Sequence, residues 1–207
     1  TKLIAGKSLS KRTMLRDTSP LRLMGAIIDA KRRTRNANHE EYPPITIEGG
    51  GLRPISYKLP VASAQVKSAI LLAGLFANGT TRISEPVLTR DHTERMLKFF
   101  KADIKVKQNN VAIKGNRELA SIGRIIIPGD ISSAAFFMVL AAILRNSQIL
   151  IRDVSLNPSR MGVIRVLKRM KLNIRVSLTN SRFSRFEPAG NILVNSSSLK
   201  ATTVKKE

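Results

Sequence analysis

The sequence predicts an α/β protein built from repeated strand-helix units, on three observations. Short β-type runs alternate with helical runs along the chain, turn residues stand between them, and the two most apolar helices superpose together with the segments that follow them.

In chain order, a helical pattern covers residues 14–24. The basic stretch 31–35 and residues 36–44 after it read as an exposed, solvated loop. Strands follow at 45–48 and 55–58, parted by Gly49-Gly50-Gly51, then a helix at 66–77 and, past Asn78-Gly79, a strand at 80–84. A helix at 93–100 leads to strands 104–107 and 111–114, joined through Gln108-Asn109-Asn110, and to a strand at 124–127. Helices at 132–144 and 161–170 and strands at 148–152, 173–178 and 192–195 complete the pattern.

Residues 73–78 (AGLFAN) match 141–146 (AAILRN) at an offset of 68, and each is followed by a strand, a polar loop, an amphipathic helix and another strand. An earlier partial copy ends at 23–27, which resembles 99–104. The expected boundary is Ile127-Pro128-Gly129-Asp130, where proline and glycine interrupt the chain, giving domains 1–127 and 128–207.

A chain of 207 residues, 43% hydrophobic, is long enough and apolar enough to fold around a core. The absence of cysteine excludes disulfides, thiolate metal sites and cysteine nucleophiles, and two histidines do not make a histidine-rich metal site; no metal and no cofactor are expected. No apolar run reaches the ~18 residues of a membrane span, and no signal-peptide pattern opens the sequence, so no membrane partner and a cytoplasmic location are expected. The formal charge of +22 divides as +13 over residues 1–127 and +9 over 128–207, so no single basic tail produces it. Such a field draws negatively charged partners, phosphorylated metabolites and nucleic acid alike. Aromatic residues are only 4%, which leaves few platforms for stacking bases, and specific nucleic-acid binding is not expected.

Four segments carry candidate chemistry. Ser63-Ala64-Gln65 stands directly before an apolar helix, where amides without intrahelical partners and the helix dipole favour an anion; Ser63 either caps that helix or joins a phosphate cradle. Arg90 lies upstream of the next helix and is free to project, whereas Arg95 falls inside it and pairs locally; His92 between them reads as a general base, a metal ligand or a hydrogen-bonded structural histidine. Ser8-Leu9-Ser10-Lys11-Arg12 is a basic, hydroxyl-rich turn in which the planar fork of Arg12 suits phosphate or carboxylate better than Lys11 does, surface charge being the other reading. Asp130 is placed to cap the second apolar helix and, at the boundary, to fix geometry there.

Together these stretches, with Leu23-Met24-Gly25-Ala26, Ser84-Glu85-Pro86, Arg90-Asp91-His92-Thr93-Glu94-Arg95-Met96, Gly129-Asp130-Ile131-Ser132-Ser133 and Asn157-Pro158-Ser159-Arg160-Met161-Gly162, resemble the 5-enolpyruvylshikimate-3-phosphate synthase family of enolpyruvyl transferases, in register along essentially the whole chain. The resemblance implies two lobes of repeated βαβαββ units, an inside-out α/β barrel type of fold, incomplete here. It also implies transfer of the enolpyruvyl group from phosphoenolpyruvate to the 5-hydroxyl of shikimate 3-phosphate, in aromatic amino acid biosynthesis. On matching positions, Ser63, Ala64, Gln65 and Arg90 hold shikimate 3-phosphate, Arg12 holds phosphoenolpyruvate, and Asp130 is a structural, hinge-side residue. The related UDP-N-acetylglucosamine enolpyruvyl transferases use a loop cysteine that this sequence lacks.

The pattern departs from the family at Gly6, at Thr13 and at Lys171-Leu172, where a left-handed turn is cheaper for glycine than for lysine. The family's opening Lys-Ser pair and its later aspartate, lysine and glutamate have no counterpart here. No catalytic residue is therefore placed in this chain, which is expected to act as an inactive central portion whose partners are the two anionic substrates and the missing segments of the same enzyme. A basic relative that binds polyanions without specificity is the alternative expectation.

Overall fold

The computed structural model describes residues 1–35, 38–121, 123–179 and 186–204. In chain order the elements are β1 (Lys2–Leu3), α1 (Leu15–Leu23), β2 (Ile27–Arg35), β3 (Asn38–Glu48), β4 (Ser56–Lys58), α2 (Ala64–Gly74), β5 (Thr80–Ser84), α3 (His92–Phe99), β6 (Ile104–Lys107), β7 (Asn110–Lys114), α4 (Ile131–Ile143), β8 (Gln148–Ser155), α5 (Gly162–Arg169), β9 (Asn173–Leu178) and β10 (Ala189–Asn195). The chain is α/β, and it folds as two compact units, one of Thr1–Thr89 with Phe100–Ala120, the other of Arg90–Phe99 with Ser121–Glu207.

The first unit holds two sheets, ordered β1-β3-β2 and β4-β5-β7-β6. β4 and β5 run parallel with α2 between them, while β5, β7 and β6 pair antiparallel. Strand periodicity puts Thr81, Ile83, Val111 and Ile113 on one face of this sheet, all buried, and Ile70 and Leu71 of α2 are buried as well. Burial of each such branched side chain contributes about 1.5–3 kcal/mol. The helix lies so close to this face that a Cβ on Gly74 would stand 2.9 Å from Ile113 Cγ2.

The second unit repeats the plan. Its sheet is ordered β8-β10-β9, both pairings antiparallel, as in β5-β7-β6. Met138, Ala141, Ile164, Leu167, Ile192 and Val194 form its core with the residues around them. α3 follows β5 in sequence but belongs to this second unit.

The region expected to be a loop at 31–44 is strand where it is described, Asn36 and Ala37 lying outside the described residues. Two of the cations that made it look solvated stand opposite carboxylates in the register, Arg32 opposite Glu41, with Nε 3.7 Å from Oε1, and Arg33 opposite Glu40. Cross-strand opposite charge stabilises a ladder without apolar alternation, and it is invisible to a pattern search along one strand. The strand expected at 124–127 does not form; Ile127 is 78% exposed, Pro128 has no N–H to donate, and only Gly129 bridges in parallel to Val154. Lys171 adopts the left-handed turn after α5 despite its side chain, with φ at 67°, and Lys101 does the same after α3 at 63°.

Candidate functional site

The N-terminus of α2 is the centre of the first unit's candidate site. Ser63 is extended (φ −143°, ψ 105°) and its hydroxyl accepts from the Val66 amide at 3.4 Å, a long cap. No acidic residue stands in the first turn, and among the described residues the amides of Ala64 and Gln65 have no acceptor, as helix geometry requires of first-turn donors. Ser63 and Ala64 are half-buried and Gln65 is exposed. Gln65 donates from Nε2 to Asp17 Oδ2 at 3.0 Å, which orients its amide at the helix entrance. Burial raises the pKa of Asp17, opposed by that hydrogen bond and by Arg16.

On its buried side α2 also carries an ion pair. Lys67 Nζ lies 2.8 Å from Glu85 Oε1, both side chains 1% exposed. Glu85 Oε2 accepts from the Thr89 amide at 3.2 Å and from the Thr89 hydroxyl, so one carboxylate ties the helix to the loop after β5. The signal was present in the sequence: Lys67 sits on the stripe of Val66, Ile70 and Leu71, where a cation persists only with a partner.

Arg12 follows a short 3₁₀ turn at Leu9–Lys11, its amide donating to Leu9 O at 3.0 Å. Its backbone is extended (φ −91°, ψ 134°) and its side chain is exposed, with no partner among the described residues. The chain then enters α1 through Met14, whose amide donates to Glu41 O at 2.7 Å. Asp17 in the first turn of α1 is the residue that holds Gln65. Beneath α1, Glu41 accepts from Thr18 at 2.5 Å and pairs with Arg22 at 2.9 Å. Burial works against ionising Glu41, but Thr18 and Arg22 outweigh it and hold its pKa below the ordinary 4.5.

In the second unit, Arg90, His92, Asp130, Arg160 and Glu187 line a concavity of about 280 Å³. Arg90 is exposed and unpaired among the described residues. Asp91 takes Arg95 Nε at 2.8 Å and Asn157 Nδ2 at 2.8 Å; burial opposes its ionisation, and these partners still lower its pKa. His92 Nδ1 lies 3.1 Å from Glu187 Oε1, which also accepts from Ser155 at 3.0 Å. That contact occupies the imidazole structurally, and no cluster of three potential metal ligands occurs among the described residues. Asp130 caps α4, accepting from the Ser132 amide at 3.0 Å, with Arg160 Nη2 3.6 Å away; the Ser132 amide is the chief cause of its lowered pKa.

A family model described as EPSP synthase (3-phosphoshikimate 1-carboxyvinyltransferase) matches residues 2–204. The 3-phosphoshikimate 1-carboxyvinyltransferase of Geobacillus kaustophilus is 48% identical over 202 residues, covering 98% of this chain and 45% of the relative. That of Bacillus pumilus is 45% identical with the same coverage. A solved EPSP synthase from Acinetobacter baumannii superposes with a TM-score of 0.81 at 45% identity, covering 99% of this chain and 44% of that one. The chain therefore spans less than half the length of the relatives it matches.

Proposed function

This chain belongs to the EPSP synthase family, and from that membership we propose that it supplies part of an enzyme transferring the enolpyruvyl group of phosphoenolpyruvate to the 5-hydroxyl of shikimate 3-phosphate. The setting is the cytoplasm, and the whole fold is the inside-out α/β barrel type. The observation that carries the reading is the α2 entrance: first-turn amides without acceptors, a neutral cap at Ser63 and an oriented donor at Gln65. A phosphate is stabilised in such a place by N–H donors and by the helix dipole.

Ser63, Ala64 and Gln65 hold shikimate 3-phosphate and Arg12 holds phosphoenolpyruvate; Arg90 is assigned to shikimate 3-phosphate and is tested separately. Asp130 keeps a structural role as the α4 cap. The reaction protonates the methylene of phosphoenolpyruvate and adds the 5-hydroxyl of shikimate 3-phosphate, which gives up its proton, at the adjacent carbon; loss of a proton from the new methyl group then re-forms the double bond as phosphate leaves. No group of this chain is assigned to those proton transfers, so its contribution is electrostatic holding and positioning of two anions. The chain alone does not turn over. Its partners are the remaining segments of the enzyme, a reading supported by the uncovered apolar side of α4, where Phe136 is 79% and Ile143 63% exposed.

Calorimetric titration with shikimate 3-phosphate tests the assignment, with inorganic phosphate as the control for bulk charge. The expected result is saturable binding tighter than phosphate, weakened about tenfold by Gln65→Ala and by Arg90→Ala, the loss of one hydrogen bond to a charged group. Variants indistinguishable from the parent would remove the assignment.

A further inference from the structure

We infer that the open face of the β4-β5-β7-β6 sheet is a docking surface for the phosphate backbone of nucleic acid, independent of base sequence and separate from the α2 entrance.

The register builds this face. Ser56, Arg82 and Ala112 pair in one row that ends on Lys105, and Lys58, Ser84 and Asn110 pair in the next row, ending on Lys107. Residues two apart on a strand share a face, so both rows project together, opposite the buried Ile83, Val111 and Ile113. With strands about 4.8 Å apart and a two-residue step of about 6.8 Å, Lys58 and Lys107 stand roughly 14 Å apart across the sheet and Arg82 and Lys105 roughly 10 Å. Between them the side chains are small, which leaves a shallow hollow of about 490 Å³ without any carboxylate in its lining. All four cations are exposed, and none has an ion-pair partner among the described residues.

The repeat supplies an internal control. At the 68-residue offset the rows of Arg82 and Ser84 correspond on β8-β10-β9 to Leu150, paired with Leu193 and Arg175, and to Arg152, on the side that also carries the Asn191 and Ser177 pair, so two cations stand there among apolar and neutral polar groups. The same strand order there carries a mixed polar and apolar surface, so four clustered cations are not a requirement of the fold.

The chemistry of the face selects its occupant. Protein interfaces are anchored by buried aromatic or aliphatic groups and membrane surfaces by inserted apolar ones; neither projects here. A phosphate polymer needs only spaced cations and small hydrogen-bond donors, which Ser56, Ser84 and Asn110 add. Without an aromatic on either row, bases find no stacking platform, and contact stays with the backbone.

Fluorescence anisotropy of a labelled 20-base-pair DNA duplex titrated with the full chain tests this at several salt concentrations. One variant replaces Lys58, Arg82, Lys105 and Lys107 by Gln; a control replaces Arg152, Arg165, Lys168 and Arg175 by Gln, removing the same charge from the second unit. Expected are binding by the parent, a loss of at least tenfold in the sheet-face variant with a salt slope shallower by about 3–4, and less than threefold loss in the control. If the fourfold variant does not fold, Lys105→Gln with Lys107→Gln on the edge strand lowers the slope by about 2. Equal losses in both variants, no binding by the parent, or binding to anionic phosphatidylserine vesicles but not to the duplex would overturn the inference.

Discussion

The N-termini of α2 and α4 occupy equivalent places in the repeat and are furnished oppositely. At α4, Asp130 sets its own carboxylate against the Ser132 amide, at 3.0 Å, and Arg160 stands 3.6 Å behind it, so the positive end of the helix already holds an anion. At α2 the cap is the neutral Ser63 at 3.4 Å, no acidic residue follows in the first turn, and Gln65 is turned to the entrance by Asp17. One copy of the motif spends its dipole on its own capping; the other leaves it open to a ligand. Duplication thus keeps the helix and its buried face while the entrance is free to differ.

The largest effect expected from breaking this comparison is at Lys67, because α2 adds a buried ion pair to the apolar contacts of Val66, Ile70 and Leu71, whereas α4 buries Ala134, Met138 and Ala141. Lys67→Ala leaves Glu85 charged, buried and unpaired, and is expected to lower stability by about 3–5 kcal/mol, measured by urea unfolding. A change under about 1 kcal/mol would show that the pair does not hold the helix.

A smaller effect is expected at the α4 cap. Asp130→Ala costs about 1 kcal/mol, whereas Ser63→Ala costs less because its cap is longer. The two entrances also differ in the sign of their pH dependence. The lowered pKa of Asp130 adds stability above its ordinary 3.8 that is lost as pH falls through the folded-state value. The raised pKa of Asp17 does the reverse: its contribution is present at low pH and is lost as pH rises through the raised value, so Asp17→Asn gains relative to the parent toward neutrality. Thermal melts of the two variants from pH 3 to 7 should therefore diverge in opposite directions, and parallel curves would remove the distinction.

Much of this was legible before any coordinates. Hydrophobic periodicity and turn residues located the five α-helices of the described residues and most strands, but not the short 3₁₀ turns, because α2, α4 and the strands beside them bury continuous apolar faces. The hairpin of β2 and β3 was not legible, since its pairs, Arg32 with Glu41 and Arg33 with Glu40, are neighbours only across strands. The repeat made Ser63 and Asp130 comparable from sequence, and both are caps. Two partnerships were out of reach of local pattern: Lys67 with Glu85, eighteen residues apart, and His92 with Glu187, ninety-five residues apart.

Backbone amide NMR shifts on adding shikimate 3-phosphate test the central claim most directly. The account predicts that Ala64, Gln65, Val66 and Lys67 move most, with Arg12 unaffected until phosphoenolpyruvate is added. Shifts confined to Lys58, Arg82, Lys105 and Lys107, or scattered evenly over the basic surface, would contradict it, for the ligand would then be following charge alone and not the open helix end.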